Sequence, residues 1–364
     1  MKVIQIIARM NKGGTSNWLR HLVIELRKSG VEVVLLSGNV GPGENEDPTF
    51  LELGGRRIGT LGRQISPFGD LQSLLALRKI IREENPDIIN THTAKAGFIG
   101  RLAAIGLPCK VVHTFHGHLL YGYFTKPKTY IIISLERALS SITDGFIFVG
   151  EQVRKDLATK KIALGKKYKV IRPAISGIAR NEKFNTLNPH NHKISVGWLG
   201  RLTKIKHPER VLVLASELPN IEFLVGGTGD IDPNSFPNLP ANVNFLGWME
   251  PEEFWTKCDL GILTSENEGL PTSIIEASSA GIPVVSLNVG SVSEIVEDGI
   301  TGYLCKDLED MRLKLSLLSL NNELRTEMGQ ASINFFKLKF SIEKFTTEHI
   351  AFYTTIIELK RPRK

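Results

Sequence analysis

Short apolar segments alternate with amphipathic segments along most of the chain. Continuous apolar runs predict buried strands, and apolar residues that recur every three or four positions predict helices. In the first half, the strands are predicted at 3–8, 31–36, 87–90, 110–115 and 145–149, and the helices at 16–29, 71–81, 94–105 and 128–141. Continuous apolar strands between helices are typical of a parallel sheet covered on both faces.

The alternation is interrupted after residue 150. Residues 151–172 carry eight Lys or Arg and two acidic residues, and residues 175–193 are polar and turn-like, which predicts a linker. A second alternation follows, with strands at 194–199, 221–225, 243–246, 260–263 and 283–287, and helices near 208–217, from 252, at 271–280 and at 341–360. We therefore expect an α/β protein with two doubly wound, Rossmann-like parallel-sheet domains, 1–172 and 173–340, facing a central cleft.

Composition agrees with two globular domains. The 364 residues are 42% hydrophobic and 23% charged, which excludes a disordered chain, a collagen and a disulfide-stapled miniprotein. No window of about 20 residues is free of charged and polar breaks, and the N-terminal residues 1–14 are typical of a first strand rather than a signal peptide. The three cysteines lack metal-ligand spacing, which predicts free thiols in a reducing compartment.

The charge is unevenly divided. Residues 1–180 hold 27 Lys or Arg against 14 Asp or Glu, a net charge of +13, whereas the remainder holds 18 against 24, a net charge of −6. Nucleic acid, an anionic membrane and a phosphorylated substrate would all suit the basic half, and a merely solvated basic surface is the plain alternative. No recognition-helix or base-stacking motif accompanies the charge, so nucleic acid is disfavoured.

Candidate ligand-binding residues follow the strands, since open α/β sheets bind ligands beyond the carboxyl ends of their strands. Gly13 and Gly14 precede the first helix, where backbone N–H groups can approach an anion. His113, His116 and His118 would not converge easily on one ion and lack an accompanying carboxylate, so no metal is predicted. His116, at a strand end, suits hydrogen bonding or proton handling, and His113 suits the interior.

The second half offers cations and carboxylates. Arg201 and Lys206 follow its first strand and suit a diphosphate. Segment 268–277 begins with Glu268 and continues into a helix whose first turn contains Pro271; Gly269, Leu270, Pro271 and Thr272 form the predicted donor-binding turn. Glu276 lies in an otherwise apolar part of this helix, where a carboxylate is costly unless it meets hydroxyls or a cation.

These motifs together carry a resemblance. Glu268 and Glu276 are separated by seven residues, as in the E-x7-E signature of retaining glycosyltransferases. With Gly13-Gly14, Thr114-Phe115-His116-Gly117 and Gly200-Arg201-Leu202…Lys206, in that order over nearly the whole chain, the sequence resembles glycosyltransferase family 4, of the GT-B fold. Residues 91–97, Thr-His-Thr-Ala-Lys-Ala-Gly, resemble members that build bacterial surface polysaccharides such as lipopolysaccharide or capsule.

The resemblance implies a role for each matching residue. Arg201 and Lys206 would neutralise the donor diphosphate and the charge that develops on it as a leaving group. Glu268 would contact hydroxyls of the donor sugar, Glu276 would bind the ribose hydroxyls, and His116 would hydrogen-bond the sugar on its reacting face.

Further implications concern the rest of the site. Gly13 and Gly14 would pass close to the donor phosphate, the anomeric configuration would be retained, and neither a metal nor another cofactor would be needed. Many members have a glycine where this chain has His207. The last helix, 341–360, would pack back onto the first domain.

The implied function is transfer of a sugar from a nucleotide-diphosphate sugar, first of all a UDP-sugar, to a lipid-linked saccharide such as a polyprenyl-diphosphate sugar. The enzyme would act in the cytoplasm, peripherally on the inner membrane face. The aromatic segment 119–124 with Lys126 and Lys128 suits an anionic lipid interface, or else a packed acceptor loop. The alternatives are a soluble small-acceptor transferase, an epimerase and a non-catalytic sugar-nucleotide-binding protein; the four charged residues disfavour the last.

Overall fold

The computed structural model describes residues 1–41, 44–62, 64, 66–117, 126–175, 177–178 and 193–359. The chain forms two compact units, Met1–Ala174 with Ile342–Lys364, and Ile175–Ser341. The sequence-based boundary between residues 172 and 173 lies two residues from the boundary between the units. Most of the predicted linker, together with His118 and the aromatic segment 119–124, lies outside the described residues.

The first unit contains a seven-stranded sheet whose neighbouring strands are all parallel. Its strands are β1 (Lys2–Ile7), β2 (Glu32–Ser37), β3 (Arg56–Arg57), β4 (Ile88–His92), β5 (Lys110–Phe115), β6 (Gly145–Phe148) and β7 (Lys167–Val170). Their spatial order is β3-β2-β1-β4-β5-β6-β7. The order reverses between β1 and β4, which makes this the topological switch point of the sheet.

The described residues of the first unit form seven α-helices. They are α1 (Gly14–Lys28), α2 (Thr49–Glu52), α3 (Pro67–Glu84), α4 (Ala94–Ala103), α5 (Lys126–Ser141), α6 (Glu151–Thr159) and α12 (Ile342–Glu358). Helix α12 comes from the end of the chain and packs against α1, with Phe345, Phe352, Tyr353 and Ile356 in the same apolar core as Trp18. Its burial among first-unit residues explains why the chain returns to this unit.

The second unit contains a six-stranded parallel sheet in the order β10-β9-β8-β11-β12-β13. Its strands are β8 (Ser195–Leu199), β9 (Glu222–Gly226), β10 (Val243–Gly247), β11 (Leu260–Leu263), β12 (Val284–Leu287) and β13 (Gly302–Cys305). Its helices are α7 (Glu209–Glu217), α8 (Pro251–Trp255), α9 (Thr272–Ser279), α10 (Leu308–Leu320) and α11 (Asn322–Lys339). The order reverses between β8 and β11.

The interruption expected over residues 151–172 is wrong. This basic stretch contains α6 and β7, which complete the first unit. Strand β7 is an edge strand on which Lys167, Tyr168 and Lys169 are exposed, so it lacks the continuous apolar pattern of the central strands.

The described residues contain no helix that is both long enough and apolar enough to cross a membrane. Cys109, Cys258 and Cys305 are all buried and free of disulfide bonds.

Candidate active site

Two loops meet beyond the switch point of the second sheet. One follows β8 and carries Lys206, and the other follows β11. Thr264, the first residue after β11, accepts a hydrogen bond from Trp198 Nε1 at 2.9 Å, and its hydroxyl lies 3.1 Å from the carbonyl oxygen of Lys206. The Glu266 N–H donates to the Ile205 carbonyl at 2.9 Å. These bonds hold the two loops in register.

These two hydrogen-bonded loops place Lys206 against Glu268. The ammonium nitrogen of Lys206 lies 2.5 Å from Glu268 Oε1, and Ser265 Oγ donates to the same oxygen at 2.6 Å. The Glu268 side chain is only 9% exposed, so the pair has limited contact with water. Without a ligand, these two predicted catalytic residues therefore satisfy each other.

Arg201 is placed differently. Its side chain is exposed at the carboxyl end of β8, and no hydrogen bond or ion pair with another described residue is found for its guanidinium. An exposed, unpaired guanidinium can turn towards an anion without first breaking another interaction.

Helix α9 begins at Thr272, one residue later than expected, with Pro271 at the N-cap rather than in the first turn. The N–H groups of Gly269, Leu270, Thr272 and Ser273 donate to no acceptor within the described ranges. Free N–H groups at the positive end of a helix dipole form a binding site for a phosphate. Glu268 directly precedes this turn, so carboxylate and anion site adjoin in sequence.

Glu276 is buried on α9, one helical turn past these N–H groups, and is not a surface residue. Burial raises the pKa of its carboxyl to about 7, and the neighbouring Trp255 indole partly opposes this rise. The Trp255 Nε1 lies outside good hydrogen-bond geometry with any described residue. The oxygens of such a buried carboxyl are available to accept hydrogen bonds from hydroxyl groups.

In the first unit, Gly13 and Gly14 lie where β1 leads into α1, and both are exposed. A Cβ on Gly13 would meet no atom within 4 Å, which leaves open space beside this backbone. His113 is buried in β5 and lies 2.8 Å from Thr91 Oγ1, so it is an interior residue.

His116 directly follows β5, half-buried, with its ring edge-on to Trp18. Its Nε2 lies 3.0 Å from His92 Nδ1. Desolvation, with a smaller contribution from His349, lowers the pKa of His116 to about 3, so the ring is neutral at physiological pH. Among the described residues, no three His, Cys, Asp or Glu side chains are grouped so as to hold a metal ion.

Sequence reasoning gave no role to three residues that shape these sites, and two of them, His92 and Thr93, entered only through the resemblance of residues 91–97. Gly290, after β12, packs against the Glu268 backbone, where a Cβ would lie 1.9 Å from the Glu268 carbonyl oxygen. His92 ends β4 and contacts His116. Thr93, beside it, has φ 66°, which is strained for a β-branched residue. Their position at carboxyl ends of strands was the available signal.

Comparison with known proteins gives consistent results over both units. Residues 12–177 match the sequence profile of Glycosyltransferase Family 4, and residues 179–335 match that of Glycosyl transferases group 1. The capsular polysaccharide biosynthesis glycosyltransferase CapM of Staphylococcus aureus is 25% identical over 322 residues, covering 81% of this chain and 84% of CapM.

Two further proteins are similar. The UDP-Gal:alpha-D-GlcNAc-diphosphoundecaprenol alpha-1,3-galactosyltransferase of Escherichia coli is 28% identical over 272 residues, covering 68% of this chain and 69% of that protein. The structure of Anabaena Alr3699/HepE in complex with UDP and glucose superposes with a TM-score of 0.78 at 16% identity, covering 97% and 99% of the two chains, and shows a common fold. This chain belongs to glycosyltransferase family 4, and its two parallel-sheet units are those of the GT-B fold.

Proposed function

We propose that this protein transfers a sugar from a UDP-sugar to a lipid-linked saccharide, with retention of anomeric configuration and without a metal ion, in the synthesis of a cell-surface polysaccharide. The observation that carries the proposal is the free anion site in the second unit. Four N–H groups that have no acceptor among the described residues precede or open α9, beside the Lys206–Glu268 pair. Arg201, unpaired among the described residues, lies at the same edge of the sheet.

Donor binding follows from these groups. The diphosphate would occupy the α9 N-terminus and draw Arg201 and Lys206 to its oxygens, because a diphosphate carries more charge than one carboxylate. Lys206 would then turn away from Glu268. The carboxylate, still held by Ser265 at 2.6 Å, would be free to accept hydroxyls of the donor sugar. Glu276 would accept the ribose hydroxyls.

In the proposed reaction, the acceptor hydroxyl attacks the anomeric carbon from the face that the diphosphate leaves. The new bond joins the acceptor oxygen to that carbon, the bond to the phosphate oxygen breaks, and the leaving phosphate takes the hydroxyl proton. Arg201, Lys206 and the α9 N–H groups would stabilise the charge on the departing diphosphate. From the first unit, Gly13 and Gly14 would leave room for phosphate and acceptor, and His116 would hydrogen-bond the sugar.

The acceptor part of the proposal is supported by relatives named for capsule synthesis and for a diphosphoundecaprenol-linked acceptor. It is also supported by exposed apolar residues on helices of the first unit, which we name together the α3–α5 face. Helices α3, α4 and α5 are neighbours, and they expose Phe68, Leu71, Leu75, Tyr130, Ile131 and Leu135. With the +13 charge of residues 1–180, this face suits peripheral docking on an anionic membrane at its cytoplasmic side.

The donor is tested with purified protein, a panel of UDP-, GDP- and ADP-sugars, a membrane extract as acceptor, and EDTA in parallel. We expect nucleoside diphosphate release from one UDP-sugar that survives EDTA, and a product with the anomeric configuration of the donor by NMR. Arg201→Ala is expected to weaken UDP binding by about 10- to 100-fold. Lys204→Ala is the matched control, because it removes another exposed cation of the same loop and should leave UDP binding unchanged. A requirement for a divalent metal, or an inverted product, would contradict the proposal.

The membrane part is tested by flotation with vesicles containing anionic lipid at low and high salt. Phe68→Ser and Leu71→Ser should reduce binding, while Leu320→Ser, which changes an exposed leucine of the second unit, should not. Equal binding by all three variants would exclude the α3–α5 face as the docking surface.

A further inference from the structure

A buried chain of hydrogen bonds runs from helix α12 to His116. Tyr353 on α12 has its hydroxyl 3.2 Å from Gln5 Nε2 and 2.9 Å from Asn90 Nδ2. Gln5 Oε1 lies 2.8 Å from His92 Nε2, and His92 Nδ1 lies 3.0 Å from His116 Nε2. Gln5, Asn90, His92 and Tyr353 are all fully buried.

This chain leaves one nitrogen of His116 available. Its Nε2 is engaged by His92, and its Nδ1 has no partner among the residues that the structure describes. Burial lowers the pKa of both rings, so each is neutral and carries a single proton. The tautomer of one ring therefore dictates the tautomer of the other.

We propose that His92 is a positioning residue that locks His116 in one neutral tautomer, with Nδ1 presented to the substrate as a hydrogen-bond acceptor. The polarity follows from the Gln5 amide. Its nitrogen faces Tyr353 and its oxygen faces His92, so His92 carries its proton on Nε2 and accepts at Nδ1. His116 then donates through Nε2, and its Nδ1 lone pair can accept a sugar hydroxyl.

Packing supports a fixed ring as well as a fixed proton. The Trp18 ring lies edge-on to His116, with ring centroids 4.6 Å apart, and edge-on to His92 at 5.4 Å. His349 of α12 lies edge-on to the same Trp18 ring, and Tyr353 of α12 bonds Gln5. Helix α12 therefore contacts both the ring that packs on His116 and the hydrogen-bond chain that reaches it. The proposal that His116 Nδ1 accepts a sugar hydroxyl rests on the proposed function. The fixed tautomer of the ring does not depend on it.

The tautomer is measured by ¹⁵N NMR of histidine-labelled protein without substrate. In the wild type, we expect His116 to be protonated at Nε2 only. His92→Leu should give a mixture of tautomers, because it removes the acceptor that faces His116 Nε2. A wild-type His116 protonated at Nδ1, or a His116 tautomer unchanged in His92→Leu, would overturn the proposal, and the wild-type spectrum decides even if His92→Leu fails to fold.

Kinetics then separate positioning from binding. Outer partners that orient a metal-bound histidine are worth about 10- to 100-fold in activity, and we expect a fall in kcat of about tenfold for His92→Leu with KM for the donor changed less. His92→Asn, which retains a hydrogen-bonding group near the Nδ1 position, should recover part of the loss. Normal tautomers in a protein that transfers no sugar would refute the proposed function and leave the locked histidine pair standing.

Discussion

The Lys206 ammonium and the Glu268 carboxylate form an ion pair at 2.5 Å, with the carboxylate only 9% exposed and also bonded to Ser265. The pair joins the loop after β8 to the loop after β11 and places one cation and one anion beside the α9 N-terminus. The pair therefore stabilises the free protein, and a bound diphosphate would separate it by attracting Lys206 to its own oxygens.

Lys206→Ala should weaken donor binding and also destabilise the protein, because it leaves a largely buried carboxylate without its cation. We expect a loss of about 1–3 kcal/mol in the free energy of unfolding, measured by denaturant titration. The double variant Lys206→Ala/Glu268→Ala should recover part of this stability but none of the activity. If the loss of stability in the double variant, relative to the wild type, equals the sum of the losses in Lys206→Ala and Glu268→Ala, the two residues are not coupled.

The raised pKa of Glu276 predicts a pH-dependent stability. The folded protein holds a proton on Glu276 up to about pH 7, whereas the unfolded chain loses it near 4.5. The folded state thus binds more protons between these values, so the free energy of unfolding falls as pH rises through this window, by about 3 kcal/mol in all. Glu276→Gln should remove this dependence, be more stable than the wild type at pH 8, and bind UDP more weakly.

Thermal unfolding at a series of pH values, with and without UDP, checks this prediction. A Glu276→Gln protein with the pH profile of the wild type would show that the carboxyl does not carry the effect. Unchanged UDP affinity would separate Glu276 from the ribose site while leaving the stability argument intact.

The central elements could be predicted because their residues are buried on both faces. Strand β5 has the predicted bounds Lys110–Phe115, and the helix predicted over residues 271–280 correctly includes Glu276. Strand β7 was missed because an edge strand can expose Lys167 and Lys169. The Lys206–Glu268 pair joins residues 62 positions apart, and the His92–His116 contact joins two strands, so neither has a local pattern to read.

His207 shows the physical cost of one departure from the family pattern. It has φ 49° and ψ 56°, a left-handed conformation that glycine adopts without strain, and many members have glycine there. Its ring contacts Glu209 Oε1 at 2.5 Å and Glu266 Oε2 at 3.3 Å, and both carboxylates are about half exposed. Such partly exposed side-chain contacts contribute little to stability, so they compensate only part of the backbone strain.

His207→Gly should therefore raise the free energy of unfolding by up to about 1 kcal/mol. His207→Ala is the matched control, since it removes the same ring contacts but keeps the strain, and it should be less stable than the wild type. Chemical denaturation of the three proteins at one pH distinguishes them. A glycine variant no more stable than the alanine variant would mean that the left-handed conformation carries no cost.

Gly290 offers a way to displace Glu268 without changing a charged residue. It has φ 53°, and a Cβ there would lie 1.9 Å from the Glu268 carbonyl oxygen, so Gly290→Ala must move that backbone. Gly299→Ala is the matched control, because Gly299 has φ 76° but a Cβ would meet no atom within 4 Å. Both variants should lose about 1 kcal/mol of stability through backbone strain, measured by denaturation. Only Gly290→Ala should also lower kcat and donor affinity, since the proposed reaction needs Glu268 held beside the α9 N–H groups to better than about 1 Å; equal activity of the two variants would mean that the position of Glu268 does not limit the transfer.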